Sequence, residues 1–106
     1  MTAEVSTQVQ RFDTEVQRVV DRLRGMPINR LPNAAEAVRA CCTELLAISA
    51  RIGDRAPVPL PHLQPSALGD QVAVLAADLR AAALQRADRD ALDVGTDALS
   101  GLRRAL

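Results

Sequence analysis

Residues 5–26, VSTQVQRFDTEVQRVVDRLRGM, hold the pattern that decides the fold. Their apolar side chains recur at alternating steps of four and three residues, at Val5, Val9, Phe12, Val16, Val19, Leu23 and Met26. Only a helix brings positions with this spacing onto one stripe. The next segment repeats the alternation at Ala34, Val38, Cys41, Leu45, Ile48 and Ile52. Two such stripes predict long helices that pack lengthwise.

Helix-breaking residues set the limits of these two helices. Gly25 and Pro27 predict the end of a first helix that runs from about residue 3 to Arg24. Asn33 stands three residues before Glu36, which is the spacing of a capping box. The second helix is therefore predicted over Ala34–Ile52, with Gly53 after it. Between the helices, three apolar groups are expected to close one end of the core: Met26, Ile28 and Leu31.

Residues 54–65 form a proline-rich segment with prolines at 57, 59, 61 and 65. This spacing excludes a helix and favours an extended chain. At about 3.1 Å per residue such a segment can span the length of a 20-residue helix, about 30 Å. We expect a crossover along the bundle, with three apolar side chains toward the helices: Val58, Leu60 and Leu63. A plain linker and a ligand for a polyproline-binding domain are the alternatives.

The third helix is predicted from about Ala67, capped by Ser66 or its neighbour. Three kinds of side chain recur along it: an apolar seam (Leu68, Val72, Leu75, Leu79, Ala82), a small-residue ridge (Gly69, Ala73, Ala77, Ala81) and a polar line (Gln71, Asp78, Gln85). This pattern predicts two packing faces and hence the most buried helix. Arg80 falls away from the polar line and is expected to need an acidic partner or an interface.

Residues 86–90 break the register, because the following seam is out of phase: Leu92, Gly95, Leu99, Leu102 and Leu106. Either a turn leads into a fourth helix capped by Asp88 or Asp90, or one long helix carries a stutter. Mean helix length favours the turn. The predicted fold is all-α: an antiparallel bundle of three long helices and a shorter C-terminal one, with a Pro-rich crossover between helices 2 and 3. It forms a single domain over residues 1–106.

Composition excludes several functions. All 13 basic residues are Arg, so there is neither a Schiff-base lysine nor a P-loop lysine. Thirteen acidic residues balance them, with the two signs interleaved and a single aromatic residue, Phe12. Neither a basic face nor a base-stacking platform is predicted, and nucleic acid is not an expected partner. Nineteen Ala and 14 Leu predict an aliphatic core.

Few residues suggest chemistry. Cys41 and Cys42 are adjacent in a predicted helix, and we interpret them as structural residues. The alternatives are a redox role for the two thiols, or a metal site that one of them forms together with His62. We interpret four acidic residues near the fourth helix as helix caps and solvent-exposed groups rather than as a metal site: Asp88, Asp90, Asp93 and Asp97. No catalytic motif is present. We therefore predict a non-enzyme without catalytic, cofactor-binding or metal-binding residues, and without a cofactor.

The stretch Ala67-Leu68-Gly69-Asp70-Gln71-Val72-Ala73-Val74-Leu75, in a chain rich in Ala and Arg and free of Lys, resembles small uncharacterised helical proteins of GC-rich actinobacteria. The resemblance covers about residues 20–80 and implies no function.

The leading functional hypothesis is a non-enzymatic helical protein-interaction module whose partner is either another protein or a second copy of itself, in which case it is a homodimer. Its basis is the surplus apolar face of helix 3 and a second stripe, Cys42 and Leu46, beside the helix 2 seam. The alternative is a carrier or sensor that binds an apolar small molecule between the helices. Regulation by oxidation of the two cysteines is a third. With no leader-like pattern in residues 1–6 and no apolar run near 20 residues, we expect a cytoplasmic location and no membrane span.

Overall fold

Four α-helices make up the computed structural model, which describes residues 3–106 and the side chains from Ser6 onward. They are α1 (Ala3–Arg24), α2 (Leu31–Ile52), α3 (Leu68–Arg86) and α4 (Arg89–Ala105), and a short 3₁₀ helix (Pro65–Ala67) precedes α3. The predicted all-α bundle of four helices is confirmed. None of the described helices combines the length and the apolarity needed to cross a membrane. The side chain of Val5, the first seam position, and residues 1–2 lie outside the described part.

The bundle is four-cornered, with α1 and α2 on one diagonal and α3 and α4 on the other. The helices α1 and α3 are antiparallel, because early residues of one meet late residues of the other: Asp13 with Arg80, and Arg24 with Asp70. The helices α1 and α4 are parallel, because polar contacts join the early residues of one to the early residues of the other and the late residues to the late ones. The helices α2 and α4 are antiparallel, since Ala34 lies near Ala105 and Ile48 near Ala91. The remaining neighbours, α2 and α3, therefore run parallel, as a long crossover requires.

The proline-rich segment makes this crossover, as the sequence predicted. It returns along α2 as far as Arg39, whose guanidinium lies 2.7 Å from the His62 imidazole (Nη2 to Nε2) and donates to the Leu63 carbonyl at 3.3 Å. Leu60 packs against the core, and Leu63 is half-buried. Val58, which was expected to face the helices, is 60% exposed. The proline-rich segment thus contacts the bundle mainly through its own C-terminal residues, Leu60, His62 and Leu63.

Two predicted helix caps are wrong. The helix α2 begins at Leu31, so Asn33 lies inside its first turn, and no side chain caps it. Pro32 explains the earlier start, since the first turn needs no N–H from this position and favours the φ angle of proline. The helix α3 has Ala67 at its N-cap, and Ser66 caps nothing because the 3₁₀ helix leads directly into α3.

The predicted turn between the last two helices is confirmed. Ala87 ends α3 in the left-handed region, with φ of 50°. The Asp88 side chain then caps α4, its Oδ1 accepting a hydrogen bond from the Ala91 N–H at 3.0 Å. In the connection between α1 and α2, Leu31 is buried and Met26 packs against the core, but Ile28 is 76% exposed and closes nothing.

The apolar seams of all four helices contribute to the core, as predicted, and Leu68, Val72 and Leu79 of α3 are fully buried. The expectation that α3 is the most buried helix is wrong, because nine of the 22 residues of α2 are buried and seven of the 19 residues of α3. A four-residue step advances about 40° around a helix, so the small-residue ridge begins buried at Gly69 and reaches solvent at Ala77 and Ala81. Gln71, expected on the polar line, is buried and donates to the Pro61 carbonyl at 3.1 Å.

Gly95 is a packing residue, although glycine weakens a helix. A Cβ at this position would lie 2.8 Å from Leu79 Cδ2 and 2.9 Å from Phe12 Cε1. The absence of a side chain therefore lets the Phe12 ring pack directly beneath α4. At Gly101 the same Cβ would meet only the distal end of Arg104, at 3.9 Å.

We expect opposite results from alanine at these two glycines. Gly95→Ala should lower the free energy of unfolding by about 1–3 kcal/mol through overpacking. Gly101→Ala should raise it by about 0.5–1 kcal/mol, because it removes backbone freedom at an open site. Urea unfolding followed by circular dichroism measures both changes. Equal stabilisation by the two variants would contradict the packing at Gly95.

Candidate interaction surface

Polar contacts at seven-residue intervals close the seam between α1 and α4. Gln8 Nε2 donates to Asp93 Oδ2 at 3.1 Å, and Arg22 Nη2 donates to the Leu106 carbonyl at 2.9 Å. Between them, Arg103 binds Glu15 through two hydrogen bonds, of 2.9 and 3.2 Å. Glu15 is a buried carboxylate, since only 8% of this residue is exposed. Its position in the heptad borders the parallel neighbour α4, which the sequence did not predict.

The charges in this seam and in the α1–α3 seam are satisfied inside the bundle. The hydrogen bond from Arg103 lowers the pKa of Glu15 below its ordinary value despite the opposing effect of burial. Arg80 binds Asp13 at 2.8 and 3.1 Å, which confirms the predicted acidic partner. Its pKa is raised, mainly by this contact. These ion pairs join α1 to its two neighbouring helices.

Cys41 and Cys42 are free thiols in the core between the helices. Burial raises the pKa of Cys41 to about 12 and that of Cys42 to about 11. Both thiols are therefore protonated at neutral pH, the form that reacts poorly with oxidants and electrophiles. Cys42 is fully buried, so the expected second apolar stripe beside the helix 2 seam does not reach the surface there.

The remaining sequence candidates lie apart. His62 is exposed and contacts Arg39 on the crossover side of α2. Asp88 caps α4, and Asp93 accepts the hydrogen bond from Gln8. Within residues 3–106, the structure brings together no group of three or more His, Cys, Asp or Glu side chains that could hold a metal ion.

Two grooves flank α4 on opposite sides. The groove toward α1 has a volume of about 460 Å³ and is lined by residues of polar type: Thr7, Gln10, Arg11, Thr14, Glu15, Arg18 and Thr96. The groove toward α2 has a volume of about 450 Å³ and a mainly apolar lining. Cys41 and Leu102 lie at its base, and its sides are lined by Ala37, Ala40, Glu44, Val94, Asp97, Ala98, Gly101 and Ala105. Val94 is 45% exposed there.

The outward face of α2 continues from this second groove. We name it the α2 ridge; all of its side chains are exposed: Glu36, Ala40, Thr43, Glu44, Ala47 and Arg51. Its three charged groups form no hydrogen bond or ion pair with other described residues, in contrast to Asp13, Glu15, Arg80 and Arg103. The α2 ridge and the α2–α4 groove together form the candidate interaction surface.

Sequence reasoning sought the surplus apolar surface on α3 and at Cys42 and Leu46, and it missed this surface. The groove joins helices that are distant in sequence, so no local pattern reveals it. A signal was nevertheless present, because small residues recur on both of its sides at helical spacing, for example Ala37, Ala40, Ala98 and Gly101.

Comparisons of this chain with protein-family models, with curated proteins and with solved structures found no match.

Proposed function

We propose that this chain is a non-enzymatic helical module that binds protein, and that one of its partners is a second copy of itself. The observation that carries the proposal is the α2 ridge, where unpaired charges and small apolar side chains lie together beside an apolar groove. A helix about 33 Å long offers an extended contact strip that a protein partner can cover. Two buried free thiols fit a reducing compartment, and the cytoplasm is the location we propose.

The shape of the surface favours a protein over a small molecule. Small-molecule sites are concave pockets in which a few polar groups converge on an enclosed ligand. The α2–α4 groove is instead a surface cleft that includes exposed Val94 and Asp97. The space between the helices is filled by large core side chains, including Phe12, Leu45, Leu79 and Leu99, each 0% exposed.

Sedimentation velocity across micromolar concentrations tests the self-association. We expect the mass to rise with concentration from one 11.3 kDa chain to two. A single chain at every concentration would count against it. Native mass spectrometry of freshly purified protein separates this function from the carrier alternative, because a reproducible small added mass would favour a bound apolar ligand.

A further inference from the structure

Four of the six residues of the α2 ridge form a pattern that is its own complement when read backwards. Glu36 stands four residues before Ala40, and Arg51 stands four residues after Ala47. Reversing the direction of the helix therefore exchanges the two alanines and exchanges an acid with a base. A second copy laid antiparallel along this face presents its Ala47 to Ala40 and its Arg51 to Glu36.

These four side chains share one face, as such a contact requires. At 100° per residue, Ala40 and Ala47 lie about 20° apart around the helix axis, and Glu36 and Arg51 lie about 30° to either side of their midline. All four are exposed. Alanine at the centre allows two helices to approach to the short end of the usual 8–10 Å range of axial distances. The longer Glu36 and Arg51 side chains can then meet across the contact near its ends.

We propose that this protein forms a two-fold symmetric dimer in which α2 packs antiparallel on α2 of the second copy, with Ala40 on Ala47 and Glu36 paired with Arg51. This symmetry and register rest on the proposed self-association and specify the surface that performs it. Two-fold symmetry places every contact in the interface twice, so weak single contacts are doubled. The closed contact also limits assembly to two chains.

One group opposes the contact. Glu44 lies close to the two-fold axis, on the side of α2 that borders the α4 groove. The two copies of this carboxylate therefore approach each other, and like charges at short range are destabilising. Glu44→Gln is expected to tighten the dimer, whereas an unchanged or weaker dimer in this variant would contradict the register.

Charge reversal tests the pairing at the ends of the contact. Glu36→Arg and Arg51→Glu should each weaken the dimer by about tenfold or more, because each converts two attractive pairs into two repulsive ones. The double variant Glu36→Arg/Arg51→Glu should restore the wild-type dissociation constant. Weakening without restoration, or no weakening, would overturn the pairing. Circular dichroism confirms that each variant is folded.

Disulfide trapping tests the register independently. A mixture of Ala40→Cys and Ala47→Cys proteins should form a cross-linked dimer under mild oxidation. Each variant alone should not, because its two engineered thiols would lie about 10 Å apart along the helix axes, beyond the reach of a disulfide. The native thiols are buried and do not compete. Equal trapping in all samples would overturn the register while leaving self-association intact, whereas a wild-type protein that stays monomeric would overturn the proposed function itself.

Discussion

Between about pH 9 and pH 11 the free energy of unfolding is expected to fall by several kcal/mol. The two buried thiols cause this loss, since burial raises the pKa of Cys41 to about 12 and of Cys42 to about 11. In the unfolded chain both ionise near the ordinary cysteine pKa of about 8.5. The unfolded state therefore releases protons that the folded state retains. Stability is fully present below about pH 8.5 and is lost as the pH rises toward the folded pKa values, by about 1.4 kcal/mol per pH unit for each thiol.

The composition of the chain makes this experiment unusually clean. There is neither Lys nor Tyr, and Arg keeps its charge throughout the range. The thiols are thus the only side chains that titrate in this window. Urea unfolding at a series of pH values, in the presence of a reductant, measures the slope. The Cys41→Ala/Cys42→Ala variant serves as the control, and its free energy of unfolding should hardly change with pH in this range. An equally steep decrease in this variant would rule out the thiols as the cause of the pH dependence.

Phe12→Ala is expected to lower the free energy of unfolding by about 3–5 kcal/mol, because a fully buried aromatic ring leaves a cavity that the core cannot refill. Phe12 is the only aromatic residue and is 0% exposed. Val74→Ala, at a 59% exposed position on α3, provides a matched truncation and should change stability by less than about 0.5 kcal/mol. Chemical unfolding of both variants measures the difference, and similar small effects would contradict the assignment of Phe12 to the core.

The same ring explains why Gly95 is required, and a double-mutant cycle tests the link. Since the Cβ of an alanine at position 95 would meet Phe12 Cε1 at 2.9 Å, removing the ring should relieve part of the clash. Gly95→Ala is therefore expected to be less costly in the Phe12→Ala background than in the wild type. Strict additivity of the two changes would indicate that the residues do not pack together.

The helices and the crossover could be predicted from the sequence because they depend on periodicity and on backbone breakers. The seam through Phe12 and Leu23 is buried, and Gly25, Gly53 and the prolines lie outside the α-helices apart from Pro32. The failures concern quantities that depend on neighbours. A heptad shows that Glu15 lies beside the apolar stripe, but only the parallel placement of α4 buries it against Arg103. Likewise, the crossover carbonyl of Pro61 accounts for the burial of Gln71.

The candidate surface was less predictable than the fold, for a related reason. The sequence pattern predicted unused apolar surface on α3. That prediction holds only if a ridge of four-residue steps runs parallel to the helix axis. The drift of that ridge carries Ala77 and Ala81 into solvent. The groove beside the α2 ridge exists only once α2 and α4 pack together, so it has no counterpart in the local sequence pattern.

The mass in solution of Ala47→Glu compared with Ala81→Glu, measured by sedimentation at high micromolar concentration, tests the role of the α2 ridge most directly. Both variants place a carboxylate on an exposed alanine, one on the α2 ridge and one on the outer face of α3. We expect Ala47→Glu to sediment as one chain, whereas Ala81→Glu and the wild type should sediment as two. Two chains in the Ala47→Glu sample, or one chain in the Ala81→Glu sample only, would contradict the assignment of the α2 ridge as the interaction surface.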